Sequence, residues 1–208
     1  KALAFAVTHD TPHKNISTEI HNSGGPFTLV PLPDNNGKPS SAIVWMENGE
    51  KAKRLMEMET KSFEHEMTVR SCNILGPLKL ASKRSLWPII SQIADRLYSQ
   101  RLALIGETAH VVPPIGAQGL NMTIKDIKFL NNLDQKYPDQ LGSMDILNEY
   151  QKNRIFDIRQ RVAGVSALNR ISISSNKLVQ NVRAFGLENF FQVPAIKHAT
   201  MKLGMGNR

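Results

Sequence analysis

The chain has 208 residues, 41% of them hydrophobic, and a single cysteine, Cys72, so it can bury one sizeable core or two small ones but cannot form an internal disulfide or a cysteine zinc cluster. Its longest apolar runs fall well short of the ~20 residues that a membrane-spanning helix requires, so no span is expected. The formal net charge of +8 arises entirely after residue 151, and neither zinc-finger spacing nor an RNA-binding aromatic signature accompanies it, so nucleic acid is not expected as a partner.

Short β-rich runs separated by turn sequences occupy the chain from Leu3 to about Leu80. The turn sequences "NSGGP" and "PDNNGKP" are rich in Gly, Pro and Asn, which is typical of connections between strands. We therefore predict an antiparallel sheet here. Its strands are the runs "ALAFAV", "STEIH", "PFTLVPL" and "SSAIVWM".

Apolar residues recur at a period near 3.6 in the charged stretch "EKAKRLMEMETKSFEHEMTVRSC", which predicts one or two amphipathic helices inserted after the strands. We interpret the methionines as packing residues and not as a metal site. The apolar positions are Ala52, Leu55, Met56, Met58, Phe63 and Met67.

The segment from Gly106 to Asp126, called the motif segment below, has the most unusual sequence in the chain. It follows an apolar run, Leu102 to Ile105, which we predict to be a buried strand ending at a sheet edge where ligands gather. Pro113 and Pro114 stiffen the loop, and two glycines allow close backbone approach. A helix is then predicted to begin, because apolar residues fall on one helical face; they are Leu120, Ile124, Ile127 and Leu130.

The last region, from about Met144, is predicted to be helical, with Pro194 setting off a short final helix. Its basic residues either form a solvated helix face or meet an anionic partner. Phenylalanines lie among these cations, which suits peripheral contact with an anionic membrane as well as packing against the sheet. The residues in question are Arg183, Phe185, Leu187, Phe190, Phe191, Lys197 and Lys202.

The string "GETAHVVPPIGAQGLNMTIKD" resembles the second flavin-binding motif of the flavin-dependent aromatic hydroxylases, the p-hydroxybenzoate hydroxylase superfamily. That pattern runs Gly-Asp-Ala-Ala-His, a proline, Gly-rich residues, Asn and a later Asp. The preceding strands and "KRSLWPI" resemble the ubiquinone-biosynthesis hydroxylases of the 2-octaprenyl-6-methoxyphenol hydroxylase type. The resemblance extends over most of the chain.

The resemblance implies that the motif segment binds FAD. Glu107 would take the place of the acidic residue that contacts the ribityl chain, and Pro114 would lie near the isoalloxazine ring. Backbone amides from Gly116 onward would meet the pyrimidine edge, where a helix N-terminus stabilises the negative charge of reduced flavin. The expected cofactor-binding set is Gly106, Glu107, Pro114, Gly116, Ala117, Gln118, Gly119, Leu120 and Asn121.

The sequence departs from the family pattern in three places. Glu107 stands where Asp is commoner, Thr108 stands where Ala is common, and "GAQG" differs in order from "AGQG". No Gly-x-Gly-x-x-Gly string, which holds the FAD pyrophosphate in the family, occurs in the 208 residues. We therefore expect a C-terminal portion of a longer hydroxylase that by itself binds FAD weakly or not at all and is inactive.

The implied fold is α+β: an antiparallel substrate-domain sheet, a strand-turn-helix flavin segment and C-terminal helices, the remainder of an FAD-binding α/β fold without its N-terminal Rossmann half. The expected domains are residues 1–80 for substrate, with the helix insert, 81–135 for FAD, and 136–208 for the C-terminal helices. The expected location is the cytoplasm, with peripheral contact to the inner membrane or to a ubiquinone-biosynthesis complex.

The implied activity is hydroxylation of a polyprenylated phenol with NAD(P)H and O2. A soluble aromatic acid as the substrate and a noncatalytic binding or assembly module remain the alternatives. His110 and His21 are ambiguous as acid or base, with a structural role favoured for His110, so no catalytic residue and no metal ligand is assigned.

Overall fold

The computed structural model describes residues 1–22, 24–115 and 118–173, together with positions 176, 181, 186 and 198. Its contacts divide these residues into two compact units. The first unit contains Lys1–Ile89 and the last turn of the long helix from Arg170, and the second contains Ile90–Asn169. Every strand pairing among the described residues is antiparallel.

The first unit is built on a six-stranded sheet, and this confirms the sheet predicted from the four β-rich runs. The strand order is β2-β3-β4-β1-β5, and β6 also pairs with β1. Two helices, α1 and α2, follow β4 along the chain. The elements are β1 (Ala2–Thr8), β2 (Thr18–Asn22), β3 (Gly25–Asn35), β4 (Lys38–Met46), α1 (Gly49–Glu57), α2 (Thr60–Arg70), β5 (Lys79–Leu80) and β6 (Ser85–Trp87).

The core of the first unit lies between one face of this sheet and the two helices. Alternate residues of a strand point to opposite faces, so one set of apolar side chains meets the helices. Phe5 contacts Phe63 edge to face, with ring centroids 5.1 Å apart, and Phe27 contacts Trp45 at 5.4 Å. Helix residues predicted from the 3.6 period are buried in the same cluster; they are Ala52, Leu55, Phe63 and Met67.

The described residues of the second unit form two short antiparallel strand pairings and two helices. β7 (Gln92–Ile93) pairs with β10 (His110–Val111), and β8 (Tyr98–Ser99) pairs with β9 (Leu102–Ala103). A single 3-10 turn, Gly106–Thr108, connects β9 to β10. The helices are α3 (Gln118–Lys136) and α4 (Met144–Ile173).

One sequence prediction about this unit is wrong, and another is confirmed. The apolar run Leu102–Ile105 is not a buried strand, because only Leu102 and Ala103 pair, with β8, and Leu102 is 47% exposed. The helix predicted from the spacing of apolar residues is present as α3, although those residues are largely exposed, with Leu120 at 70%, Ile124 at 52% and Ile127 at 51%. The α3 residues that are buried are Met122, Asp126 and Leu133.

The predicted C-terminal helix is present as α4, which packs into the core of the second unit. Ile146, Tyr150, Ile158 and Val162 are buried in the same cluster as Leu97, Ala109 and Met122. The predictions that concern Pro194 and the basic, phenylalanine-containing end of the chain lie outside the described residues. Among the residues that are described, no helix is long and apolar enough to cross a membrane.

Candidate flavin site

The motif segment begins with a turn that only glycine suits well. Gly106 has φ of +57°, in the left-handed region that side chains with a Cβ disfavour. A Cβ at this position would also lie 3.0 Å from Oγ1 and 3.1 Å from Cγ2 of Thr123 on α3. The glycine therefore permits both the backbone turn and the close approach of the 3-10 turn to helix α3.

The buried carboxylate of Asp126 holds this turn against α3. Its Oδ2 accepts hydrogen bonds from the backbone N–H of Gly106 at 3.1 Å and from Nε2 of His110 at 2.8 Å. Its Oδ1 accepts from Nε of Arg154 at 2.8 Å, and Nη2 of Arg154 lies equally close. Four elements, the 3-10 turn, β10, α3 and α4, therefore meet at one carboxylate.

The charges in this cluster are mutually compensated. Burial alone would raise the pKa of the Asp126 carboxyl, but the hydrogen bonds from His110, Gly106 and Arg154 outweigh burial and lower its pKa. Burial would lower the pKa of the Arg154 guanidinium, but the hydrogen bonds to Asp157 and Asp126 raise it. Both groups are therefore ionised at neutral pH, and burial is tolerated because each charge is paired.

Tyr150 of α4 contacts the backbone between β9 and the 3-10 turn. Its hydroxyl donates to the Leu104 carbonyl at 2.8 Å. Burial raises the pKa of this phenol, and the negative charge of Asp126 raises it further. Tyr150 therefore stays neutral and serves as a hydrogen-bond donor that fixes the chain just before Gly106.

Glu107, by contrast, is exposed. Its side chain lines two adjoining cavities, one of about 130 Å³ with Gln92 and Thr108, and one of about 280 Å³ with Gly119 and Leu120. Among the described residues no hydrogen bond or ion pair to the Glu107 carboxylate is present. An ionised carboxylate is an acceptor only, so this group is available to ligand hydroxyls.

The structure brings most of the predicted cofactor-binding residues to this region. Gln118 and Gly119 form the first turn of α3, followed by the half-buried Asn121 and the exposed Leu120. Pro114 is exposed between the buried Pro113 and Ile115. Gly116 and Ala117 lie outside the described residues.

His110 was ambiguous in the sequence, and its geometry favours the structural role. The ring is buried, and its Nε2 is committed to Asp126. The residues that sequence reasoning missed are Arg154, Asp157 and Arg161 of α4. Their spacing of three and four residues places them on one helical face, a signal of an Arg-Asp-Arg ion-pair ladder.

The residues present suit an FAD molecule. The exposed Glu107 provides an acceptor for sugar-like hydroxyls beside two cavities, and the first turn of α3 provides backbone N–H donors for a partly negative ring. A Cβ placed at Gly119 would lie 3.8 Å from its nearest neighbour, Cγ2 of Val112, which is an ordinary van der Waals distance. The packing of the described residues therefore does not by itself require glycine at this position. Among the described residues no group of three or more His, Cys, Asp or Glu side chains is arranged to hold a metal ion.

Comparison with known proteins decides the family. Residues 2–163 match the family described as FAD binding domain. The chain belongs to this family. The resemblance to flavin-dependent hydroxylases that the motif segment indicated is thereby confirmed.

Curated proteins that the chain resembles carry names from ubiquinone biosynthesis. Ubiquinone hydroxylase UbiL of Rhodospirillum rubrum is 27% identical over 208 residues, which cover 99% of this chain and 48% of that protein. The mitochondrial ubiquinone biosynthesis monooxygenase COQ6 of Danio rerio is 24% identical, with coverage of 97% and 49%. The chain therefore spans about half the length of the curated relatives it matches.

A solved structure supports the fold. Pseudomonas aeruginosa PqsL in complex with 2-aminobenzoylacetate superposes with a TM-score of 0.64 at 21% identity, over 83% of this chain and 48% of that one. At this identity the likeness concerns the fold alone. It agrees with the mixed arrangement of helices and antiparallel sheet in the first unit and of short pairings and helices in the second.

Proposed function

We propose that this chain is part of an FAD-dependent monooxygenase that hydroxylates a polyprenylated phenol in ubiquinone biosynthesis, with NAD(P)H as the reductant and O2 as the oxygen source. The observation that carries the proposal is the placement of Glu107 and the start of α3 around adjoining cavities in a chain of the FAD binding domain family. The names of UbiL and COQ6 support ubiquinone biosynthesis as the pathway.

In this proposal the motif segment holds the flavin. Glu107 accepts hydrogen bonds from the ribityl hydroxyls, Pro114 lies near the ring, and backbone N–H groups between Gly116 and Asn121 donate to the pyrimidine edge. FAD, when bound, supplies the redox and oxygen-transfer chemistry. The contribution of the chain is to orient the ring, to stabilise negative charge with the first turn of α3, and to exclude water from the reacting centre.

The sheet face opposite α1 and α2 suits an apolar aromatic substrate. On β1, β3 and β4 the residues that alternate with the core residues are small and mostly apolar. Glu19 and His21 lie on the same face of β2, where His21 Nε2 and Glu19 Oε1 are 2.7 Å apart. A carboxylate at this position repels an aromatic acid and favours a neutral phenol. The small, half-buried residues are Ala4, Ala6, Thr28, Ala42 and Val44.

The test uses the protein produced from its complete open reading frame. We expect it to purify with bound FAD, to oxidise NAD(P)H faster when a polyprenylated phenol is added, and to incorporate one atom of labelled O2 into that phenol. Stimulation by a soluble aromatic acid in place of the phenol contradicts the substrate class. A failure to bind any flavin contradicts the enzyme and favours a noncatalytic assembly module.

Contact with an anionic membrane is a further part of the proposal, because a polyprenylated substrate resides in a bilayer. The excess of basic residues after residue 151 supports such contact. Liposome flotation with and without anionic lipid tests it. Association that does not depend on anionic lipid removes this part of the proposal and leaves the hydroxylase assignment intact.

A further inference from the structure

The smaller of the two cavities beside Glu107 is lined by polar residues from two parts of the chain. Its volume is about 130 Å³, and its polar lining includes Gln92, Glu107 and Thr108. Glu107 and Thr108 belong to the 3-10 turn, whereas Gln92 belongs to β7. Because β7 pairs with β10, Gln92 lies opposite Val111, which lines the same cavity. All three polar residues are exposed.

Two of these polar groups can only accept hydrogen bonds from a ligand. The carboxylate of Glu107 has acceptor oxygens alone. The hydroxyl of Thr108 donates its single proton to the Ile105 carbonyl at 2.7 Å, so only its lone pairs remain for a ligand. The 3-10 turn therefore offers the cavity acceptors and no free side-chain donor.

His110 also lines this cavity, and one of its ring nitrogens has no partner. Its Nε2 donates to Asp126, so in the neutral ring the other nitrogen, Nδ1, is an acceptor. Nδ1 is buried, and within the described ranges no hydrogen bond to it is present. Buried polar groups are rarely left without a partner, so we expect a donor from a ligand or an ordered water beside this ring.

Gln92 supplies the donors that the 3-10 turn does not. Its side-chain amide has two N–H donors and one acceptor oxygen. The side chain makes no hydrogen bond or ion pair within the described part of the chain, and it is exposed. Its amide group is therefore available to a ligand in the smaller cavity.

This arrangement of acceptors with one amide suits neighbouring hydroxyl groups. A hydroxyl both donates and accepts, so a chain of hydroxyls can donate to Glu107 and Thr108 and accept from Gln92. A phosphate carries negative charge and acceptor oxygens, so it is repelled by the Glu107 carboxylate. A water molecule occupies about 30 Å³ in the liquid, so the cavity is large enough for several groups of this size.

We propose that the smaller cavity binds the hydroxyl-bearing chain of the flavin and that Gln92 is a specificity-determining contact, whose amide N–H donates to one of those hydroxyls. This inference rests on the proposed function, in which Glu107 accepts hydrogen bonds from the same chain. Gln92 lies outside the motif segment, so the resemblance to flavin-dependent hydroxylases assigns it no role. The competing explanation is that Gln92 is a solvated surface residue.

The first experiment measures the dissociation constant of FAD by flavin fluorescence titration, in the protein produced from its complete open reading frame. Gln92→Met keeps the length of the side chain and removes the amide, so we expect FAD binding to weaken about three- to tenfold, as for one lost hydrogen bond. Gln100→Met is the matched control, because Gln100 is exposed and lines neither cavity beside Glu107. Equal affinities in the two variants overturn the proposal.

The second experiment identifies the part of the ligand that Gln92 contacts. It repeats the titration with FAD analogues that each lack one hydroxyl of the ribityl chain. If Gln92 donates to that hydroxyl, the analogue and Gln92→Met remove the same bond, so the two changes together weaken binding no more than either change alone. Additive losses with every analogue overturn the contact.

The outcomes separate this inference from the proposed function. Equal FAD binding by the unchanged protein and Gln92→Met overturns the role of Gln92 and leaves the hydroxylase proposal standing. Gln92-dependent FAD binding without oxygen incorporation into the phenol supports the role of Gln92 and contradicts the proposed reaction. An unchanged protein that binds no flavin overturns both. A raised KM for NAD(P)H in Gln92→Met, with FAD binding unchanged, assigns the cavity to the ribose of the nicotinamide nucleotide and overturns the flavin contact.

Discussion

The side chains of His110 and Asp126 are joined by a buried hydrogen bond, with His110 Nε2 2.8 Å from Asp126 Oδ2, although the residues are 16 positions apart. The bond links β10 to α3 across the whole loop of the motif segment. Because the ionised carboxylate only accepts, His110 carries a proton on Nε2. The histidine and the later aspartate of the motif thus form one structural unit.

The first prediction concerns the Asp126 carboxylate. Asp126→Asn removes the charge that compensates the buried Arg154 and disturbs the bonds to Gly106 and His110. We expect the free energy of unfolding, measured in urea, to fall by about 3–5 kcal/mol, as for other broken buried ion pairs.

Asp134→Asn is the control for this substitution, because Asp134 is an exposed residue of the same helix. Its effect on the free energy of unfolding should stay within about 0.5 kcal/mol. A loss no larger for Asp126→Asn than for Asp134→Asn would falsify the claim that Asp126 anchors the motif segment.

The second prediction concerns Gly106. Gly106→Ala forces a residue with a Cβ to adopt φ of +57° and crowds Thr123, so the free energy of unfolding should fall by roughly 1–3 kcal/mol. Adding Thr123→Ala relieves the crowding but not the backbone strain, so it should restore only part of the loss in the same urea measurement.

Gly164 of α4 offers a control of opposite sign. It is a helical glycine, and a Cβ there would meet no atom within 4 Å. Gly164→Ala should therefore raise the free energy of unfolding by about 1 kcal/mol, because alanine is the better helix former. Equal effects at the two glycines would contradict the special role of Gly106.

Sequence periodicity predicted the helical part of the first unit's core well, because residues on one face of a helix recur every three or four positions. Ala52, Leu55, Phe63 and Met67 repeat at helical spacing and are all buried. The turn that forms the β8–β9 hairpin escaped prediction because Arg101, with φ of +54°, occupies a conformation usually signalled by Gly or Asn.

The buried face of α3 escaped prediction for a different reason. Counting apolar residues favours Leu120, Ile124 and Ile127, and a charged residue such as Asp126 argues against burial. Asp126 is buried because Arg154, 28 positions later, compensates its charge. An ion pair between distant parts of the chain is not visible in local periodicity. The motif therefore predicted the candidate site, but the α4 residues that stabilise it were not predicted.

The third prediction is a pH dependence that arises from His9. This buried ring donates from Nδ1 to the Thr11 carbonyl at 2.8 Å and accepts at Nε2 from the Ser41 hydroxyl at 2.9 Å. Burial lowers the pKa of His9, and the Thr11 carbonyl only partly offsets it. The unfolded imidazole has a pKa of about 6.5, so below that pH the unfolded state takes up protons more readily.

The free energy of unfolding should therefore decrease as pH falls from 7 to 5, by at most about 1.4 kcal/mol per pH unit from this group. His9→Gln should reduce this slope, even though it lowers stability at pH 7. His65→Gln, at an exposed position on α2, should leave the slope unchanged. A slope that His9→Gln and His65→Gln affect equally excludes His9 as the source.

The fourth prediction separates ligand binding from folding at Glu107. This carboxylate is exposed and lies outside the Asp126 cluster, so Glu107→Ala should change the free energy of unfolding by no more than about 0.5 kcal/mol. In the protein produced from its complete open reading frame, the same substitution should weaken FAD binding by about tenfold or more, because a charged hydrogen-bond acceptor is lost. Glu107→Asp keeps the acceptor and should retain most of the affinity. Flavin fluorescence titration measures all three proteins, and full affinity in Glu107→Ala would remove Glu107 from the cofactor site.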